Sequence, residues 1–281
     1  MTPETILGAL CCIVMVLVVL RLLVGRRPKA IVGPDLGASM TIGSREVQED
    51  CYDTLSTPSG LLIVLADGMG KAYGGRIASR LAVETFVDLF RDYNAFDNPQ
   101  YYFRKAFAAA NRAILNALEN ERRGAASVCA AMVRDGWLYY AGVGNVKLCV
   151  FRKGDLVPLS AGHTLDVLAK QSFRTGRLTR EDALVLLENM RLYNYVGQDG
   201  FQNVELMDRP IALQQGDIVV LMSDGIYDLL PWREIEEVLS TGLDCQNMAY
   251  EIVEKVNQMT TENKDNASVV LLRWSGREGI R

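Results

Sequence analysis

The chain has 281 residues and only one histidine, His163. That excludes any metal centre built on several imidazoles. Cysteine is scarcely more informative. Of the six present, Cys11 and Cys12 are adjacent in an apolar run, while Cys51, Cys129, Cys149 and Cys245 stand far apart with no C-x-x-C spacing. Neither a zinc site nor a disulfide framework is expected, and a reducing compartment fits best. Neither sign of charge dominates: 30 Lys and Arg face 34 Asp and Glu, a net charge of −4. A general attraction to nucleic acid or anionic lipid is therefore not expected. The chain has no internal repeat and no low-complexity tract. With 49% hydrophobic and 23% charged residues it reads as globular, not disordered. The length admits one large domain or two small ones.

The longest apolar run is Ile6 to Val24, broken only by Gly8 and Arg21. At helical rise it spans roughly 28 Å, close to a bilayer's hydrocarbon thickness. A cleaved signal peptide fits poorly, because Met1–Thr5 carries no Lys or Arg and no small-x-small site follows. Arg21, Arg26, Arg27 and Lys29 all lie at the C-terminal end, which places everything downstream in the cytoplasm. The expected layout is an anchor with its basic flank over 1–29 (a buried helix or an uncleaved leader is the alternative), a linker over 30–37, one domain over 38–275 and a tail over 276–281.

The stretch around which the domain is organised is Leu61-Leu62-Ile63-Val64-Leu65-Ala66-Asp67-Gly68-Met69-Gly70. Six apolar residues predict a strand buried on both faces, ending at Ala66. Asp67 then projects from a tight turn that Gly68 and Gly70 allow. An isolated Asp-Gly is usually just a turn. Short strands are expected near Ala38 and over Cys51–Leu55. Amphipathic helices follow over Ile77–Phe90 and Phe103–Leu118, with Pro99 in the first turn of the second. From Ala126 the period becomes extended, predicting hairpins at Ser127–Gly142 and Lys147–Leu159. Arg180–Asn189 reads as helical within an otherwise loop-like stretch from Gly162. Strands over Val204–Met207, Ile218–Ser223 and Ala267–Trp274 and helices over Pro231–Leu239 and Cys245–Met259 complete the chain. Strands joined as hairpins, with helices in separate blocks, argue for antiparallel sheets flanked by helices.

Three acidic residues fall at equivalent places. Asp67 and Asp224 each follow a strand and precede glycine, and Asp265-Asn266 stands just before the last strand. Carboxylates brought together there cannot all stay ionised without a counter-charge. Mg²⁺ or Mn²⁺ is the natural one, since both favour oxygen ligands.

Arg45-x-x-x-Glu49-Asp50, Ala66-Asp67-Gly68-Met69-Gly70, Gly142-x-Gly144-Asn145, Ser223-Asp224-Gly225 and Asp265-Asn266-Ala267-Ser268 occur in this order. On these motifs the chain, from about Ala38 to Trp274, resembles the PPM/PP2C family of metal-dependent Ser/Thr protein phosphatases, in particular its bacterial members. The resemblance implies an α+β fold: a central sandwich of two antiparallel sheets with helices on both outer faces, here preceded by one transmembrane helix. It implies two divalent cations, Mn²⁺ or Mg²⁺, at one end of the sandwich. Asp67 would bridge both, the Gly68 carbonyl would ligate one, and Asp224 and Asp265 the other. Glu49 and Asp50 would act through metal-bound waters, and Arg45 would grip the substrate phosphate. The activity implied is hydrolysis of phosphoserine and phosphothreonine in proteins by direct attack of a water bridging the cations. Partners would be phosphoproteins and the membrane, with the protein a monomer.

The chain departs from the pattern at three places. Asn145 stands where an acidic residue commonly supports a third, weaker cation, so that site is expected to be weak or absent; a plain turn is the equal alternative. Met69 stands where some members have a histidine, and His163 is expected to be structural or peripheral. Lys71 replaces a frequent second glycine. Asn145 and Lys71 leave room for a rival reading, a phosphatase-fold binding or sensor module without turnover.

Overall fold

The computed structural model describes residues 15, 34–71, 73–118, 123–187, 191–201 and 203–276. Pro34–Arg281 forms one unit and Met1–Gly33 another. Apart from Met15, the membrane helix expected over residues 6–24 lies outside the described residues. No helix among the described residues is long and apolar enough to cross a membrane.

Strands β1 (Asp35–Thr41), β2 (Cys51–Thr57) and β3 (Gly60–Gly70) come first, followed by helices α1 (Gly74–Asp92) and α2 (Pro99–Ala117). Next are β4 (Gly124–Arg134), β5 (Trp137–Val143), β6 (Lys147–Arg152) and β7 (Asp155–Pro158), then α3 (Leu165–Arg174) and α4 (Arg180–Leu187). The two-residue strands β8 (Glu205–Leu206) and β9 (Ile211–Ala212) precede β10 (Ile218–Met222). Helices α5 (Asp224–Tyr227), α6 (Trp232–Leu239) and α7 (Cys245–Gln258) lead to β11 (Ala267–Arg273). One sheet has the order β1-β11-β10-β6-β7, and the other β2-β3-β4-β5-β8 with β9 also on β5. Every pairing between these strands is antiparallel.

The alternation of side chains along a strand explains why β3 is apolar throughout. Leu62, Val64 and Ala66 pack against Phe86, Phe103 and Phe107 of α1 and α2. Leu61, Ile63 and Leu65 point the other way, into the space between the sheets, where they meet Leu148, Val219, Leu221 and Val270. The outer face of the second sheet packs on α6 and α7 through Val220, Val269 and Leu271 against Ile235, Met248 and Ile252. The result is a four-layer sandwich, helices–sheet–sheet–helices, as expected. Each such side chain taken fully out of water contributes roughly 2 kcal/mol. The helix starts follow local chemistry: Asn98 Oδ1 accepts from Tyr101 N at 3.0 Å ahead of Pro99, and Asp244 Oδ1 accepts from Asn247 N at 2.8 Å.

Three expectations about the elements are corrected, and one is only partly covered by the described residues. β1 begins at Asp35, so Asp35–Gly37, read as the end of a linker, pair with Leu271–Arg273. The stretch read as loop contains α3 over Leu165–Arg174. Its pattern is diluted because it buries only Asp166 and Ala169. α4 is described only to Leu187, and the expected helical residues 188 and 189 lie outside the described set. β3 does not stop at Ala66 but continues through Asp67 to Gly70, pairing Asp67 with Ser127.

Candidate active site

That continuation decides where Asp67 points. It shares the face of Leu61, Ile63 and Leu65, so its carboxylate closes one end of the space between the sheets. The same alternation carries Ser127 of β4, Ser223 after β10 and Ser268 of β11 to that end. The hydrocarbon interior thus finishes in a polar layer. Gly68 and Gly70 do not turn the chain, since neither has a positive φ. Gly68 serves close approach instead. A Cβ there would lie 2.2 Å from the Gly75 carbonyl oxygen and 2.6 Å from that of Glu49. Gly225 plays the same part after Asp224, where a Cβ would lie 2.1 Å from the Asn266 carbonyl oxygen.

A cavity of about 260 Å³ opens at this end, and Arg45, Glu49, Asp67, Gly68, Asp224 and Asp265 all line it. Six of the residues singled out from sequence thus share one wall, although they come from distant parts of the chain. Met69, Gly70, Ser127, Asn145 and Leu192 complete the lining. Asp50 does not reach the cavity surface. It is buried, with Oδ2 accepting from Ser223 Oγ at 2.8 Å and Oδ1 without a hydrogen-bond partner. Asp265 is turned outward, its Oδ2 2.8 Å from Arg45 Nη2. Asn145 Nδ2 donates to Asp224 Oδ2 at 2.8 Å, and Ser127 Oγ donates to Asn145 Oδ1 at 2.6 Å. Asn266 ties the entrance together, accepting from Glu49 N at 2.7 Å and donating to the Ile42 carbonyl at 2.9 Å. Among the described residues no three His, Cys, Asp or Glu side chains already stand as a cation cage. The carboxylates are spread round the cavity, Asp224 held by Asn145 and Asp265 by Arg45.

The electrostatics show the strain of this arrangement. Burial, then the charges of Asp224, Asp50, Asp265 and Glu49, push the Asp67 carboxyl well above its ordinary range. Burial raises Asp50 to about 6 against the lowering influence of the Ser268 and Ser223 hydroxyls. Ser268 Oγ stands near Asp50 without closing a hydrogen bond. Asp224 is likewise raised to about 6 by burial and by Asp265 and Asp228, with the Asn145 amide pulling the other way. Burial also raises Glu49, opposed first by the Arg76 backbone amide at the start of α1. Crowded acidic groups, no buried cation among their hydrogen-bond partners and one orphaned buried oxygen make an all-oxygen donor set. Such a set fits a hard divalent cation.

His163 does not line the cavity. Its Nδ1 accepts from Gly144 N at 3.1 Å, its ring meets Tyr193 edge-on at 5.5 Å, and burial lowers its pKa. It braces the Gly144–Asn145 turn as an uncharged ring.

The family model for protein phosphatase 2C matches residues 39–261. The chain belongs to the protein phosphatase 2C family. The serine/threonine phosphatase stp of Listeria monocytogenes is 26% identical over 217 residues, 75% of this chain and 83% of that one. Among solved structures, the Streptococcus agalactiae serine/threonine phosphatase superposes with a TM-score of 0.72 at 23% identity, over 85% of this chain and 98% of the other. The catalytic domain of the phosphatase PstP in complex with two manganese ions gives a TM-score of 0.67 at 23% identity, over 85% and 96% of the two chains. These structures share the fold of this PP2C chain.

Several contributors to the site were not singled out from sequence. Ser127 stands in no quoted motif, and Ser223 and Ser268 were quoted only beside Asp224 and Asp265, not as polar anchors. Strand parity relative to Asp67 is the clue that would have placed them. Tyr227, whose hydroxyl donates to the Asn145 carbonyl at 2.8 Å, follows Asp224 by one turn of α5. Its ring lies beneath Lys147 Nζ, 3.4 Å from the centroid.

Proposed function

We infer that this chain is a protein serine/threonine phosphatase that works with two divalent cations, Mn²⁺ or Mg²⁺. The observation that carries the reading is the cavity itself, where Asp67, Asp224, Asp265 and Glu49 surround a space beside the Arg45 guanidinium. Asp67, at the end of the space between the sheets, and the Gly68 carbonyl would hold the cations. Asp224 and Asp265 would complete the set, while Glu49 and Asp50 would act through water, Asp50 with its unpartnered Oδ1. When bound, the cations supply Lewis acidity toward the phosphoryl oxygens and a nucleophilic water at neutral pH.

The protein's own groups do the rest. Asn145 is itself held by Ser127 and fixes the Asp224 carboxylate, so that oxygen stays aimed at the cavity. Arg45 is more than half exposed and exchanges its bond to Asp265 for the substrate phosphate, which its planar fork fits with two parallel hydrogen bonds. No imidazole lines the cavity, so the proton for the departing seryl or threonyl oxygen comes from water or another group. Phosphoproteins are the substrates. The apolar run over residues 6–24 holds the domain at the cytoplasmic face of a membrane, and removal of residues 1–29 should release the protein from membranes while leaving aryl phosphate turnover intact.

The deciding experiment incubates the purified protein with a small aryl phosphate, with and without Mn²⁺. Turnover that needs Mn²⁺ and is lost in Asp67→Asn supports the reading. Absence of turnover, or turnover indifferent to Asp67→Asn, overturns it.

A further inference from the structure

A second cavity adjoins the phosphate cavity at Met69 and Gly70. It is larger, about 570 Å³, and continues along α2. Its walls are apolar at Ile114, Leu115, Leu118 and Ala125. Leu115 is 37% exposed on a helix whose opposite face is in the core, an orientation that folding alone does not require. At the mouth stand Lys71, Arg123 and Tyr195, with no carboxylate among the described lining residues. Lys71 and Arg123 are exposed, and among the described residues neither is ion-paired. Their positions are nevertheless fixed. Lys71 N donates to the Arg123 carbonyl at 3.0 Å, and β3 and β4 end together through the Gly70–Gly124 pair. The packing is tight enough that a Cβ on Gly124 would lie 2.2 Å from the Gly74 carbonyl oxygen. Among the described residues, two cations without an ion pair thus stand beside an apolar hollow next to the phosphate cavity.

We propose that this second cavity is a substrate-recognition subsite, which takes an apolar side chain near the phosphorylated residue of the protein substrate and an acidic neighbour beside it. The inference rests on the phosphatase reading and extends it to substrate class. The two cavities share Met69 and Gly70 in their linings, so they lie near enough for one extended peptide to reach both. The hollow rewards an apolar side chain by removing it from water. Lys71 and Arg123 rewarding an acidic residue is charge complementarity at an exposed rim, which acts chiefly on discrimination and encounter rate. A basic residue at the same place is disfavoured by both cations. A free aryl phosphate reaches only the first cavity and is blind to the second.

The test compares phosphothreonine peptides in which a Leu-Glu pair is stepped through the flanking positions, against a peptide carrying Gly-Lys instead. The full-length protein is assayed with Mn²⁺ as wild type, Leu115→Asp and Arg123→Glu, with the aryl phosphate as reference. In the wild type kcat/KM for the best Leu-Glu peptide should exceed that for the Gly-Lys peptide by roughly 10-fold or more, since one well-buried apolar group discriminates on that scale. Leu115→Asp should reduce the ratio to near 1, and Arg123→Glu should remove the part owed to Glu. Aryl phosphate turnover should be unchanged in both. No preference in the wild type, or a preference that both variants retain, overturns the proposal. If no substrate is turned over, the phosphatase reading fails by itself, and peptide affinities measured by fluorescence anisotropy decide the subsite. The same ordering of affinities upholds it, and equal affinities refute it.

Discussion

The two ends of the same strands make a sharp contrast. In the middle of the sandwich Leu61, Ile63 and Leu65 of β3 face Val219 and Leu221 of β10 and Val270 and Leu272 of β11, all buried. A few residues along, the same strands deliver Asp67, Asp224 and Asp265 to a cavity where like charges raise one another's pKa values. The first region gains stability from every contact. In the second, isolated acids are held together against their repulsion, at a cost the apolar region must offset. Strand rigidity is common to both: it packs the middle, and it prevents the acids from moving apart.

If that division holds, substitutions at the two ends should have opposite signatures. The largest effect is expected for Asp67→Asn, which should lower turnover on the order of 10³-fold, because it removes a charge that the reaction centre relies on. It should also raise the melting temperature of the metal-free protein at neutral pH. The Asp67 carboxyl is raised in the folded state, so its favourable contribution is complete only below the unfolded value and is lost as pH rises through the folded one. Thermal unfolding in a chelator measures the second effect, and a lowered midpoint would break the contrast.

Leu65→Ala, in the middle of the same strand, should do the reverse. A cavity there costs about 3 kcal/mol of stability, read as a lower urea midpoint, while kcat of the folded fraction stays within about 2-fold. A smaller change is expected at the boundary between the two regions. Ser223→Ala removes the bond to Asp50 Oδ2 and leaves the Ser268 backbone N–H without its 2.9 Å partner. Mn²⁺ affinity should fall roughly 10-fold with modest loss of stability, because the residue orients a group that meets the cation only through water. Titration with Mn²⁺ followed by calorimetry separates this from a general loss of folding.

The sandwich was legible because its signal is periodic. β3 reads as apolar on both faces, and α1 and α2 repeat Ala78, Ala82, Phe86 and Phe103, Phe107, Ile114 along one face each. α3 was hidden because it is short, ten residues, and buries only Asp166 and Ala169. At the site the acidic residues were legible through their glycines, but the reason assigned to Gly68 was mistaken. Its side-chain hydrogen is demanded by the Gly75 and Glu49 carbonyls, which are contacts across the fold and not a property of the local turn. The layer of Ser127, Ser223 and Ser268 needed the registers β3–β4 and β10–β11, which no single segment encodes. The same holds for Asp50, which sequence placed with the water-orienting groups at the cavity and the fold places behind them.

The most direct measurement is Mn²⁺ binding by calorimetry as a function of pH, on wild type and Asp67→Asn. Asp50 and Asp224 are raised from about 3.8 to about 6, so cations must displace protons there as pH falls through that value. Two Mn²⁺ per chain at neutral pH, affinity declining below pH of about 6 with proton release, and loss of binding in Asp67→Asn are the expected results. Wild-type protein that binds no Mn²⁺, or binds it equally well with Asn at position 67, contradicts the assignment of this acidic end as the reaction centre.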